Sequence, residues 1–151
     1  MTKDTTTEEK IRISKPAIHY QNSKSTEIEL IESDDELLRI DFVAKPDLVY
    51  YAGWWMQISR ETFIRPVGSD LKLTMVKAIG ISIAPLKFYF PHKYHHQRFS
   101  LCFPLPPDDT QFIDIIEKEN AGNTYFNFYG VALSKIRSQP LFIGGMIVDL
   151  N

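Results

Sequence analysis

The chain has 151 residues, of which 44% are hydrophobic, 24% charged and 13% aromatic. This length matches one ordinary domain, and the composition is typical of a globular protein with its own core, which excludes a disordered chain. The net charge is −2 and the isoelectric point is near 6.1. These values exclude the clustered basic surface of a nucleic-acid-binding protein.

Residues 1–10 are polar and have no periodicity, so they predict a flexible N-terminal tail ahead of a single domain over residues 11–151. They contain no apolar signal-peptide segment, which indicates a cytoplasmic chain, or an envelope or secreted one only if a leader has been removed. Every uncharged run, including the apolar residues 138–148, is shorter than the roughly 20 residues of a spanning helix. We therefore expect no membrane insertion.

The first third of the chain alternates between apolar and polar side chains. The alternation that starts at Ile11 is interrupted at Pro16, which predicts an edge strand because proline lacks the backbone donor. Residues 26–31 and 37–42 alternate more cleanly, and the acidic residues 33–36 between them favour a turn. The pattern predicts a β-hairpin, although a helix over residues 34–40 is a weaker alternative.

The remainder of the chain continues in short apolar runs separated by proline, glycine and polar turns. We interpret the runs as strands in residues 49–58, 62–65, 71–75, 78–84, 99–103, 112–117, 125–133 and 141–150, the last as a strand or a covering flap. About eight to ten short strands with turn signals every 8–12 residues predict an all-β, antiparallel sandwich or barrel.

Three histidines follow Pro91 and form the first candidate site. His92, His95 and His96 could approach one another, and His92 and His96 would share one side of a helix. A metal site needs a further ligand, and no carboxylate lies nearby in the sequence. Pro91 and the flanking aromatics favour a solvated loop instead.

Acidic pairs form the second candidate. Asp108 with Asp109, and Asp114 with Glu117, could in principle serve as a general acid and base. The first pair follows Pro107, where turn formation explains it, and Asp114 lies in an apolar strand where it could face solvent or cap a turn. No nucleophile elbow, phosphate-binding loop or dinucleotide fingerprint occurs, so we expect no cofactor.

The single cysteine, Cys102, excludes an internal disulfide framework and any multi-cysteine zinc site. It lies between bulky apolar residues in the run 99–103. We interpret it as a buried or half-buried packing thiol rather than a nucleophile.

An aromatic cluster, Tyr50, Tyr51, Trp54 and Trp55, is the remaining candidate. In a strand the two indoles point to opposite faces, so one can fill the core while the other lies outside unless a loop covers it. Exposed aromatic rings can stack on sugars or anchor a protein partner. The cluster is our candidate interaction surface, with a fully covered pair of indoles as the alternative.

The order of several short motifs resembles a known class of domain. The motifs are Trp55-Met-Gln-Ile58, Thr62-Phe-Ile-Arg-Pro66, Ala78-Ile-Gly-Ile81, Phe99-Ser-Leu-Cys-Phe-Pro-Leu-Pro106, Phe112-Ile-Asp-Ile-Ile-Glu117 and Phe126-Asn-Phe-Tyr-Gly-Val131. The series, over residues 25–133, resembles the β-sandwich accessory domains of Bacteroidetes-type secreted and envelope proteins, which often precede a thioredoxin-like or hydrolase module. The resemblance implies a non-catalytic, Ig-like sandwich and carries over no active-site residue.

Three hypotheses for function follow. The first is a non-catalytic binding or accessory domain that engages a protein or glycan through the aromatic cluster. The second is a small metal-assisted or acid–base enzyme that uses the three histidines with a distant carboxylate. The third is an assembly subunit that pairs through an open sheet edge. We favour the first.

Overall fold

The computed structural model describes residues 10–46, 54–120, 125–133, 140–143 and 146–149. They contain fourteen strands and no helix. The strands are β1 (Arg12–Ser14), β2 (Ile18–Gln21), β3 (Thr26–Ser33), β4 (Leu37–Ala44), β5 (Trp55–Met56), β6 (Phe63–Pro66), β7 (Leu73–Thr74), β8 (Lys77–Ile79), β9 (Phe88–Tyr89), β10 (Gln97–Pro104), β11 (Phe112–Ile116), β12 (Phe128–Ala132), β13 (Pro140–Ile143) and β14 (Met146–Asp149).

Ten of the strands form two sheets. Sheet 1 has the order β1-β3-β4-β10-β8 and sheet 2 the order β2-β12-β11-β6-β7, and neighbouring strands are antiparallel in both. The other four strands pair as two ribbons, β5 with β9 and β13 with β14. The all-β antiparallel sandwich is therefore confirmed. The predicted strand over residues 141–150 is a ribbon of two strands, β13 and β14, and the predicted strand over residues 49–58 contains the two-residue strand β5.

The core lies between the two sheets and belongs to both. Phe42 of sheet 1 packs against Phe99 of its own sheet at 5.0 Å between ring centroids, and against Phe128 of sheet 2 at 5.8 Å. Buried isoleucines from both sheets complete one continuous cluster. Each fully buried side chain of this size contributes roughly 1.5–3 kcal/mol of apolar burial, so the alternating pattern holds the sheets face to face.

The predicted hairpin is β3 and β4, joined by the acidic turn. Asp34 Oδ1 accepts hydrogen bonds from the backbone N–H groups of Glu36 at 2.7 Å and Leu37 at 2.8 Å. These bonds lower the pKa of Asp34, the bond from Glu36 first. The turn chemistry thus fixes the register that buries Ile31 and Ile40 on the core side.

The first predicted strand is divided between the two sheets. Lys15 adopts a positive φ of 47° and Pro16 follows, so the chain leaves sheet 1 after β1 and enters sheet 2 as β2. Both strands lie at the edges of their sheets. The edge position predicted from Pro16 is confirmed.

A bulge in sheet 2 depends on Gly130. Residues Ile113 and Ile115 of β11 face Val131 and Phe128 of β12, so β12 carries one extra residue at this point. Gly130 has a φ of +66°, and a Cβ built there would lie 2.8 Å from the Cβ of His19. Only glycine satisfies both the backbone conformation and the close approach of β2.

The outer face of sheet 1 carries a row of paired charges. Glu32 binds Arg12 on one side and the Nη2 atom of Arg39 at 2.7 Å on the other. Arg39 Nε also contacts Asp41 at 2.9 Å, and the hydroxyl of Ser100 donates to Asp41 at 2.7 Å. This outer ion-pair row spans β1, β3, β4 and β10 and leaves the polar face of the sheet toward water.

Candidate binding cavity

An open cavity with a volume of about 1650 Å³ lies at one end of the sandwich. Its walls come from residues 22–26, 45–46, 54–57, 117–119 and 125–126, with single residues at positions 59, 61, 63, 72 and 84. These segments precede β3 and β12, follow β4 and β11, and surround β5, so both sheets contribute strand ends to one opening. Concave sites with aromatic walls and a few polar groups are typical of ligand-binding sites.

The structure brings two of the four predicted aromatic residues into this cavity. Trp54 and Trp55, the two tryptophans of the chain, both line it. Tyr50 and Tyr51 lie outside the described residues. Because every indole of the protein is at the cavity, tryptophan fluorescence reports on this region of the molecule.

The two indoles have different surroundings, as their adjacent positions predict. Trp54 is half-buried, packs against the core, and lies 4.7 Å from the ring of Phe90. Trp55 is 39% exposed, and the ammonium of Lys87 lies 4.4 Å from its ring centroid. Trp54 therefore belongs to the framework, whereas Trp55 offers ring surface to solvent.

Tyr89 accompanies Trp55 and was missed by sequence reasoning. In the β5–β9 ribbon, Trp55 lies opposite Tyr89 and Met56 lies opposite Phe88. Directly opposed residues share a face of the ribbon, so Tyr89, 58% exposed, stands beside Trp55 on the outside. Met56 and Phe88 pack toward the core. The two strands are far apart in sequence and only two residues long, so no local signal reveals the pairing.

Glu117 places a buried carboxyl group in the wall of the cavity. Ile113 and Ile115 point into the core, and Glu117 is the next residue in this alternating series, at the point where the core opens. It is 7% exposed, and its oxygens accept hydrogen bonds from Ser59 N at 3.0 Å and Phe126 N at 3.2 Å.

Burial raises the pKa of Glu117 to about 7, against the lowering effect of the two backbone hydrogen bonds. The neighbouring turn is held by the Asn127 amide. Its Oδ1 accepts from Glu117 N at 2.8 Å and its Nδ2 donates to Lys118 O at 2.8 Å. The carboxyl group is thus fixed in position and exchanges its proton near neutral pH.

Gln57 adds an unsatisfied acceptor to the same cavity. Its Oε1 atom is buried and has no hydrogen-bond partner in the described part of the chain. A buried acceptor without a donor costs about 1–3 kcal/mol. A ligand that donates a hydrogen bond to this oxygen would therefore remove this free-energy cost.

The predicted acid–base pairs are not assembled. Asp114 binds Arg65 Nε at 3.2 Å and accepts from Gly130 N at 3.0 Å, so it supports the bulge in sheet 2 rather than pairing with Glu117. Asp108 and Asp109 are exposed in a turn after Pro107, as the turn interpretation predicts. The alternative of an acid–base pair formed by Asp114 and Glu117 therefore gains no support, because the bulge gives Asp114 its own contacts.

The three histidines lie in the predicted loop and not in the cavity wall. His95 Nε2 lies 2.9 Å from Gln97 Oε1, and His92 Nδ1 accepts from Tyr94 N at 3.3 Å. His96 is exposed. Across the part of the chain that the structure describes, no group of three or more His, Cys, Asp or Glu side chains is arranged to hold a metal ion.

Cys102 is buried in β10, on a strand position opposite Arg39 and Lys77. Burial raises the pKa of its thiol despite these two cations. The interpretation of Cys102 as a packing thiol is confirmed in respect of its burial, and a raised pKa disfavours the reactive thiolate.

Within the described residues, no helix has the length and apolar character needed to cross a membrane. Comparison of the chain with models of known protein families, with curated proteins and with solved structures finds no match.

Proposed function

We propose that this chain is a non-catalytic binding or accessory domain that engages a partner through the cavity lined by Trp54 and Trp55. The observation that carries the proposal is the convergence of both tryptophans on one open cavity that both sheets build. Exposed or half-exposed indoles beside a concave, partly polar wall are typical of recognition sites.

The contacts of the charged groups support binding rather than chemistry. Both carboxyl oxygens of Glu117 already accept backbone hydrogen bonds, which hold the group in one orientation in the cavity wall. The three histidines line no part of the cavity, so the enzyme hypothesis that depended on them has no assembled site among the described residues.

The accessory role implied by the resemblance to Bacteroidetes-type domains is consistent with this proposal. An Ig-like sandwich ahead of a thioredoxin-like or hydrolase module would hold a partner or substrate near that module. We include this arrangement in the proposal as its most specific form.

Glycan and protein probes can test the proposal with one paired set of variants. Ligands of the wild-type protein are collected from an oligosaccharide array and from defined protein candidates, and each is titrated against tryptophan fluorescence. The comparison uses Trp55→Ala and Tyr94→Ala, because Tyr94 is 67% exposed but lies away from the cavity wall.

We expect each true ligand to shift the fluorescence, to lose affinity in Trp55→Ala but not in Tyr94→Ala, and to be recovered chemically unchanged. The proposal fails if bound ligands are insensitive to Trp55, or if the protein converts them to products.

A further inference from the structure

The charges around the cavity disfavour a charged ligand of either sign. Four lysines line it, Lys24, Lys45, Lys72 and Lys118, and so do three glutamates, Glu61, Glu117 and Glu119. An organic cation would meet the lysine ammonium groups, and an anion would meet the buried carboxyl of Glu117. A charged ligand of either sign would therefore meet groups of its own sign as well as groups of the opposite sign, and the mixed lining selects neither sign.

The rim charges are also largely engaged with the protein itself. Lys45 Nζ binds Glu27 at 3.1 Å, and Lys72 Nζ lies 3.7 Å from Glu119. Lys118 Nζ lies 5.6 Å from the ring centroid of Tyr125. Two of the four lining lysines are thus paired with carboxylates, and the opening has a rim of mixed charge.

The polar wall of the cavity contains acceptors that a ligand with hydrogen-bond donors would satisfy. Gln57 Oε1 is a buried acceptor without a donor among the described residues, and the carboxyl oxygens of Glu117 retain lone pairs beyond their backbone bonds. A ligand that carries several hydroxyl groups supplies donors without bringing a charge.

The aromatic surface beside the polar wall favours a ligand that has a flat, weakly polar face. Trp55 is exposed with Lys87 over one side of its ring, and Tyr89 continues the same ribbon face outward. The sugar ring combines a face of C–H groups with an edge of hydroxyls. It is the neutral ligand chemistry that satisfies both walls at once.

The cavity volume sets the size of the ligand. About 1650 Å³ exceeds the roughly 300–1,000 Å³ that encloses one drug-sized molecule. An open space of this size accommodates several linked units, with one end at Gln57 and Glu117 and the other at Trp55. Tyr89 stands beside Trp55 on the ribbon, outside the lining of the cavity.

We propose that the cavity binds a neutral oligosaccharide, with sugar rings stacked on Trp55 in the cavity and on Tyr89 beside it, and with hydroxyl groups donating to Gln57 and Glu117. The inference rests on the proposed binding function and gives its ligand class. A protein partner at the same surface is the competing occupant, and it is an outcome of the test.

The test uses hexasaccharides of matched length and different charge. Neutral β-1,4-linked glucose, xylose and mannose hexamers are titrated by calorimetry and tryptophan fluorescence. Hexagalacturonate is the anionic comparator, and the β-1,4-linked glucosamine hexamer is the cationic one. The variants are Trp55→Ala, Trp55→Phe and Tyr89→Ala, with Tyr94→Ala as the exposed-tyrosine control, and circular dichroism checks that each is folded.

We expect at least one neutral hexamer to bind more tightly than both charged hexamers. Loss of one stacking ring weakens it about tenfold in Trp55→Ala and in Tyr89→Ala. Trp55→Phe retains most of the affinity because it keeps an aromatic face, and Tyr94→Ala changes nothing.

The inference is overturned if no neutral hexamer binds, if a charged hexamer binds more tightly, or if neither ring substitution weakens binding. A protein ligand that depends on Trp55, with no saccharide bound, overturns the sugar assignment and leaves the proposed binding function standing. If neither a saccharide nor a protein binds in a way that depends on Trp55, both the sugar assignment and the proposed binding function are overturned.

Discussion

The outer ion-pair row and the cavity contain the same carboxylate chemistry in opposite settings. Glu32 lies at the surface between two arginines, and its hydrogen bond with Arg12 is the main cause that lowers its pKa. Glu117 is buried, receives its hydrogen bonds from backbone N–H groups, and has its pKa raised to about 7. The difference comes from water and from the nearest cation, not from the type of side chain.

The contrast separates the parts of the molecule that hold the sandwich together from the part that is available for recognition. In the outer row each charge has a partner on a neighbouring strand. The observed strand register therefore brings these partners together. In the cavity, an ionised Glu117 and a Gln57 oxygen that has no donor among the described residues both cost stability. Perturbed groups that the fold retains in a cavity are typical of functional sites.

The largest expected effect concerns the protonation of Glu117. The folded protein holds this proton more tightly than the unfolded chain, because the pKa is about 7 when folded and 4.5 ordinarily. The stability that Glu117 contributes is therefore complete below about pH 4.5 and is lost as the pH rises to about 7. The shift corresponds to about 3 kcal/mol, measurable by chemical denaturation at about pH 4 and about pH 8.

Glu117→Gln isolates this contribution from the other titrating groups. The amide cannot accept both backbone hydrogen bonds, so the variant is less stable at low pH, but it does not ionise. The stability difference between the wild type and Glu117→Gln should therefore shrink by about 3 kcal/mol between about pH 4 and about pH 8. A difference that stays constant with pH would show that Glu117 is ionised at no cost, and the contrast with Glu32 would disappear.

The next effect concerns the close-packed side of the sandwich, at Gly130. Gly130→Ala forces a Cβ to within 2.8 Å of His19 Cβ at a backbone φ of +66°. We expect a loss of about 2 kcal/mol in the free energy of unfolding, since the left-handed conformation and the overlap add.

Gly68→Ala is the matched control for Gly130→Ala. Gly68 has a φ of +86°, and no atom of the described residues lies within 4 Å of the built Cβ, so this variant reports the backbone cost alone, about 1 kcal/mol. Equal losses in the two variants would mean that the approach of β2 to the bulge tolerates a methyl group.

The sequence predicts the sandwich well because its longest strands have one buried face. Ile40 in β4 and Leu101 in β10 follow a period of two and are completely buried. In β3 a register shift between Ile28 and Leu30 breaks the period, so that Ile31 is completely buried and Leu30 only partly. The turn at Asp34 and the edge break at Pro16 act through their immediate neighbours. Such features are local, so a single sequence contains them.

The cavity is less predictable because its parts meet only through the fold. The cluster that contains Trp54 and Trp55 is visible as composition, but the partner Tyr89 depends on the pairing of two distant dipeptides. Glu117 was recognised as acidic, yet its role depends on where the core ends. Its alternation with Ile113 and Ile115 was the available signal, because a carboxylate in an inward-facing position has to be buried or to line an opening.

The smallest expected effect sharpens the comparison at the outer ion-pair row. Arg39→Ala removes the contacts with Glu32 and Asp41, but the side chains are partly exposed, and surface ion pairs contribute about 1 kcal/mol or less. We expect a small destabilisation in low salt that decreases in high salt, measured by urea unfolding at two salt concentrations. Lys45→Ala, which breaks one exposed pair with Glu27, is the control and should change stability less. A large, salt-independent loss in Arg39→Ala would place a structural anchor on the outer face, because only a buried pair escapes screening. The outer ion-pair row would then resemble the buried carboxyl group of the cavity, and solvent screening would not distinguish the two regions.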